Sequence, residues 1–186
     1  DDGRPVPGGF DRTLENLAMV AGTLSFNVPV GYAMLARALA GDAALRARFF
    51  GELDLIFYAG AALPPEVWTA LEEMGRAVRG RAPLMASSWG MTETAPACVM
   101  VHDRSGGAGI IGVPLPGVTV KLMPAEDGRH ELRVAGPNVM PGYLGASQAT
   151  AAAFDDEGFL VTGDAVRLAD PDRLAAGLKF DGRVSE

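Results

Sequence analysis

The chain has 186 residues, enough for one large domain or two small ones with a real core. Apolar residues make up 48% and charged residues 21%, an ordinary globular balance, and 24 glycines with 13 prolines are too few for a low-complexity polymer. The formal net charge of −7 argues against a nucleic-acid binder, which needs a basic face.

No apolar run approaches the roughly 20 residues of a membrane span, and no charged-then-apolar leader opens the chain. Cys98 is the single cysteine, so no disulfide framework and no multi-cysteine metal site is expected. Together these features imply a cytoplasmic protein with neither a nucleic-acid nor a membrane partner. The only lysines are Lys121 and Lys179, and the only histidines are His102 and His130. A mechanism that needs a catalytic lysine or histidine must choose among these four. The chain opens on Asp1-Asp2-Gly3 without a methionine and closes on Glu186, and it reads as a piece of something longer.

In chain order, Phe10, Leu14, Leu17, Ala18 and Ala21 recur at helical spacing, with Asp11 placed to cap the start. Gly22 to Val28 reads as extended and ends at Pro29. Tyr32, Leu35, Ala36 and Leu39 predict a second helix, and Ala43 to Phe50 a short third. Leu53 to Tyr58 predicts a buried strand that breaks at Ala59 to Leu63, after which Pro64 and Pro65 suit a helix start. Val67, Leu71, Met74 and Val78 give that helix its apolar seam, and Leu84 to Trp89 predicts the next strand. Strand, small-residue turn and helix in this order is the α/β pattern, and loops at strand ends are where such sheets place ligands.

Beyond about residue 105 the texture changes to short strands and tight turns. Val118 to Met123 and Glu131 to Ala135 alternate, and Phe159 to Thr162 with Ala165 to Leu168 flank Gly163-Asp164 as a possible hairpin. The expected organisation is an α/β portion over 1–104, a small antiparallel β subdomain over 105–178, and the start of a hinge over 179–186.

The segment richest in chemistry is Ser88-Trp89-Gly90-Met91-Thr92-Glu93-Thr94-Ala95-Pro96. Trp89 could stack on a planar base, and Gly90 would let a ligand approach the backbone. The Thr92 hydroxyl can bond a phosphate oxygen, and Glu93 can hold a divalent cation against it. On spacing alone a capped helix start is the better reading, because hydroxyl-and-carboxylate pairs mostly satisfy backbone donors. Gly60-Ala61-Ala62 could leave backbone open to a flat ligand or simply form a tight turn. Asp164 in Thr162-Gly163-Asp164 could accept from two vicinal ribose hydroxyls, or sit in an ordinary turn. Arg183 offers a forked donor, though a lone arginine is more often a surface residue. Asp155-Asp156-Glu157 reads as a solvated loop, His102 and His130 as structural or exposed, and Cys98 as a small buried residue.

The order of these segments carries more than any one of them. Gly60-Ala61-Ala62-Leu63-Pro64, Trp89-Gly90-Met91-Thr92-Glu93-Thr94, Thr162-Gly163-Asp164 and Asp181-Gly182-Arg183 follow one another as in the adenylate-forming superfamily, which the chain resembles from about Leu24 to its end. Phe26-Asn27-Val28-Pro29-Val30-Gly31-Tyr32, the Ser88 to Pro96 segment and Gly177-Leu178-Lys179-Phe180-Asp181-Gly182-Arg183-Val184-Ser185-Glu186 look most like the feruloyl-CoA synthetase branch.

The resemblance implies part of that superfamily's N-terminal domain and a ligase that uses ATP, Mg²⁺ and CoA to activate a small carboxylic acid, an aromatic one such as ferulate. It implies that Gly60, Ala61 and Ala62 line the adenine site with Trp89 stacking on the ring, that Thr92 contacts the α-phosphate, and that Glu93 holds magnesium. Asp164 would hold the ribose, helped by Arg183, and Gly90 and Met91 would lie beside the acid. Such chemistry needs positioned donors and a metal rather than a strong base.

The family's Gly-rich phosphate loop and its catalytic lysine have no counterpart among these residues, and Ser185 stands where many relatives carry an acidic or lysine hinge residue. A fragment inactive by itself, able to self-associate, is therefore expected. The rivals are a standalone nucleotide-binding or interaction module on the same scaffold and an amino-acid-activating adenylation domain, although no acidic residue is assignable to an ammonium group.

Overall fold

A computed structural model describes residues 7–104 and 107–185. Asp1-Asp2-Gly3 and Glu186 lie outside the described residues. The protein is mixed α/β and divides into two compact units, Asp1–Met85 and Ala86–Glu186. The division falls inside the strand Leu84–Trp89, whose last residues, Ser88 and Trp89, pair antiparallel with the strand that follows.

In the first unit the helices are α1 (Gly9–Met19), α2 (Pro29–Gly41), α3 (Ala43–Gly51) and α4 (Pro65–Arg79), with strands β1 (Leu24–Asn27) and β2 (Leu55–Tyr58). The two strands pair in parallel from Leu24 opposite Leu55 to Asn27 opposite Tyr58. A parallel pair needs a crossover, which α2 and α3 supply.

Pro29 at the first turn of α2 suits both its fixed φ and its missing donor. Tyr32, Leu35, Ala36 and Leu39 are all buried, as their spacing predicts. The Tyr32 hydroxyl donates to the Ser25 carbonyl at 2.8 Å and approaches that of Phe57 at 3.1 Å, pinning α2 to both strands. Burial pushes this phenol up to about 12. Asp42 caps α3 by accepting from the Leu45 amide at 2.9 Å.

Two local expectations are corrected here. Asp11 does not cap α1: the cap position is Gly8 at φ 74, and Asp11 sits one turn inside, where its charge still favours the helix dipole. In α4 the buried seam is Trp68, Leu71 and Gly75, with Val67, Met74 and Val78 only half-buried. Gly75 turns the helix this way because its missing side chain admits the Pro83 ring and Phe50.

The second unit is built on antiparallel strands. After the end of β3 (Leu84–Trp89) come β4 (Val99–Met100), β5 (Ile110–Pro114), β6 (Thr119–Pro124), β7 (His130–Ala135), β8 (Leu160–Leu168) and β9 (Leu178–Arg183), with the short helix α5 (Ser147–Ala153) before β8. Their spatial order is β3-β4-β5-β9-β8-β7-β6. Alternation puts Leu132 and Val134 of β7 and Leu160 and Val166 of β8 into one core with Trp89, Cys98, Val99, Ile111 and Leu178.

The expected hairpin at Gly163-Asp164 is instead one continuous strand. Gly163, at φ 70, lets β8 bulge rather than reverse. The two flanking runs then pair outward with β7 and β9 instead of with each other.

Asp155 also departs from the solvated-loop reading. Its carboxylate accepts from Arg133 at 3.0 Å, from the amides of Glu157 and Phe159, and pairs with Lys121. The hydrogen bond from Lys121 dominates and holds the Asp155 carboxyl well below the usual carboxylate range, with the Phe159 amide and Arg133 adding to it against the cost of burial.

Candidate active site

Among the residues singled out in the sequence, Trp89, Gly90, Met91, Thr92, Glu93, Asp164 and Arg183 all lie in the second unit. Gly60, Ala61 and Ala62 lie in the first, where they form the exposed turn between β2 and α4, with Gly60 at φ 88.

The chain leaves β3 at Trp89 and enters a single 3₁₀ turn, Thr92–Thr94. Thr94, fully buried, satisfies the turn: its hydroxyl accepts from the Met91 amide at 2.9 Å and donates to the Met91 carbonyl at 3.0 Å. Thr92 and Glu93 are thereby released from capping, and Thr92 is exposed. Gly90 has a reason prior to any ligand. A Cβ at this position would collide with the carbonyl of Pro96 and the backbone of Ala97, so only glycine lets the loop fold back on itself.

A second loop clamps this turn. The Asn138 side-chain amide donates to the carbonyls of Thr94 at 2.9 Å and Ala97 at 2.8 Å, and the Met140 amide donates to the Glu93 carbonyl at 2.8 Å. Tyr143 donates its hydroxyl to Glu93 Oε1 at 2.7 Å, and that bond raises its phenol above the ordinary value. Neither Asn138 nor Tyr143 was singled out in the sequence. The available signal was polar and aromatic side chains inside a Pro- and Gly-rich loop, a usual place for function.

Glu93 Oε2 has no partner among the described residues. No group of three or more His, Cys, Asp or Glu side chains among them could enclose a metal. A magnesium ion held by Glu93 would therefore take a single carboxylate from these residues and need oxygen ligands from outside the chain for its other positions.

Asp164 sits in the β8 bulge opposite Arg183 of β9. Its Oδ1 accepts from Arg183 Nη1 at 2.6 Å, its Oδ2 from Trp89 Nε1 at 2.9 Å, and its amide donates to Thr162 Oγ1 at 3.1 Å. The same Arg183 nitrogen also donates to the Thr162 carbonyl at 2.9 Å. Trp89, Asp164 and Arg183 are thus one bonded group. Cys98 is buried beside the Asn138 amide, as a small buried residue should be.

The second unit thus offers an outward hydroxyl, a carboxylate with one open oxygen and a second carboxylate held at both oxygens. The AMP-binding enzyme family matches residues 4–144, and the chain belongs to that family. Its named relatives include a fatty-acid–CoA ligase designation, fadD11, in Mycobacterium tuberculosis, 37% identical over 115 residues. Another is "Probable 4-coumarate–CoA ligase 1" of Dictyostelium discoideum, 31% identical over 161 residues and 82% of this chain. A malonyl-CoA ligase solved with methylmalonyl-CoA and AMP bound has a TM-score of 0.72 and 36% identity, over 97% of this chain and 37% of that one. The chain spans 18% of the length of the mycobacterial relative, with 62% of its own residues aligned, and 28% of the Dictyostelium one.

Proposed function

We propose that the chain is part of a cytoplasmic, ATP-dependent carboxylic acid–CoA ligase acting on an aromatic acid such as ferulate. In the first half-reaction a carboxylate oxygen would attack the α-phosphorus of ATP and pyrophosphate would leave; in the second, the CoA thiol would displace AMP to give the thioester. The observation that carries the reading is the Thr92–Thr94 turn, where a buried Thr94 does the capping and leaves Thr92 and Glu93 directed to other work.

Thr92 would donate to an α-phosphate oxygen, where charge develops during attack. Magnesium held by Glu93 would neutralise negative charge on the phosphates. Asp164 would accept from the ribose hydroxyls, with Arg183 fixing its orientation, and Gly90 and Met91 would lie along the acid. The likeness to a 4-coumarate–CoA ligase designation supports an aromatic acid, and the likeness to a malonyl-CoA ligase solved with AMP supports the nucleotide.

Titration calorimetry of the chain with a non-hydrolysable aryl-adenylate analogue tests this reading. Saturable binding is expected, weakened about 10-fold or more by Asp164→Ala, which removes a charged acceptor. No saturable binding up to millimolar analogue overturns it. The chain alone is expected to make no CoA thioester: it spans 18% and 28% of the mycobacterial and Dictyostelium relatives, and Lys121 is committed to Asp155 and Glu157.

A further inference from the structure

We propose that Trp89 acts on Asp164 through its indole N–H, as a positioning residue that sets the carboxylate for two ribose hydroxyls. The inference rests on the nucleotide reading above and deepens it.

The indole is 8% exposed and packs in the core with Cys98, Val99, Ile111 and Leu178, so neighbours on several strands fix its plane. A buried indole N–H must find an acceptor or lose the energy of its hydration. The acceptor is Asp164 Oδ2 at 2.9 Å, across 75 positions of sequence. Arg183 takes the other oxygen at 2.6 Å. Each carboxylate oxygen therefore has one donor from the protein and retains further acceptor capacity. A carboxylate held at both oxygens has little rotational freedom, so its remaining lone pairs are aimed before a ligand arrives. Two open positions on adjacent oxygens match two vicinal hydroxyls. Whatever face the ring gives to a base, a phenylalanine here would keep an aromatic ring and lose this donor.

The test compares AMP with 2′,3′-dideoxy-AMP on the full 186-residue chain by titration calorimetry, for the wild type, Trp89→Phe, Asp164→Ala and the double variant. The wild type is expected to prefer AMP. Trp89→Phe should weaken AMP about 10-fold, the usual worth of a hydrogen bond to a charged group, and leave the dideoxy nucleotide within about twofold. The double variant should bind AMP no more weakly than Asp164→Ala, because the two side chains act as one unit. Equal weakening of both nucleotides, or an unchanged AMP preference in Trp89→Phe, overturns the inference alone. A wild type that binds both nucleotides equally overturns the ribose role of Asp164 and this inference with it. A wild type that binds neither overturns the nucleotide reading and everything built on it.

A nucleotide-independent readout is the Trp89 indole N–H proton resonance, recognised by its loss in Trp89→Phe. It should move in Asp164→Ala, and an unmoved resonance overturns the bond itself. If Trp89→Phe fails to fold, 3-benzothienylalanine at position 89 keeps the two-ring shape, lacks the N–H and serves in every arm of the test.

Discussion

Single residues in the second unit divide the labour between holding the backbone and presenting chemistry. Thr94 and Asn138 do the holding, with the Thr94 hydroxyl and the Asn138 amide nitrogen spent on the Met91, Thr94 and Ala97 backbone. Thr92 is exposed, and Glu93 keeps one oxygen open while the other is bonded to Tyr143. Gly90 belongs with the holding residues, because the space a Cβ would need is already filled by Pro96 and Ala97. Gly90→Ala is accordingly expected to destabilise the chain by about 1–3 kcal/mol, the usual cost of forcing extra volume into a packed site. Urea unfolding measures this, and a change under about 0.5 kcal/mol, no more than an ordinary surface substitution produces, would mean that the Pro96 loop yields freely. The hydroxyl and carboxylate of the motif were legible in the sequence. Which hydroxyl caps and which stays outward was not, since Thr92 and Thr94 are chemically the same and differ only in burial.

At the scale of elements, β8 carries both a nucleotide-binding candidate and a structural network. Its bulge at Gly163 presents Asp164, while the loop before it delivers Asp155 to Lys121 on β6 and Arg133 on β7. With the Asp155 carboxyl depressed in the folded chain, its contribution to stability is fully present above the ordinary carboxylate pKa, near 4. It is lost as pH falls through the lower folded value. Thermal melts between pH 7 and pH 2 should show a steep acid limb in the wild type. Asp155→Asn should be less stable at neutral pH and flatter across that limb; parallel curves would remove Asp155 from the acid response. Helices α2 and α4 were readable because a 3.6-residue period is written locally. The hairpin expected at Gly163-Asp164 was not the outcome, because a Gly-Asp pair is compatible with a turn or a bulge and only β7 and β9 on either side select the bulge.

For the molecule as a whole, the described residues hold no helix long and apolar enough to cross a membrane. The first unit nevertheless exposes large apolar side chains around β1, with Phe26 and Val30 each 66% exposed and Leu24 and Val28 beside them. β1 is also an edge strand of its unit, bonded to β2 on one side only. Apolar side chains on an open strand edge favour association with a second copy. Sedimentation velocity over a concentration series should show self-association, and Phe26→Asp should shift it toward monomer at every concentration. Sedimentation independent of concentration would rule this out.

By itself the sequence determined the α/β class, the positions of α2, α4, β6 and β7, and the likeness that sets the chain among AMP-binding enzymes. These are local properties, set by periodicity and by short runs of particular residues. Only the tertiary structure decided that Trp89 bonds Asp164 and that Tyr143, 50 positions away, bonds Glu93. No local pattern encodes such contacts. They exist because the antiparallel strand order carries distant loops to one place and because buried donors there must find acceptors.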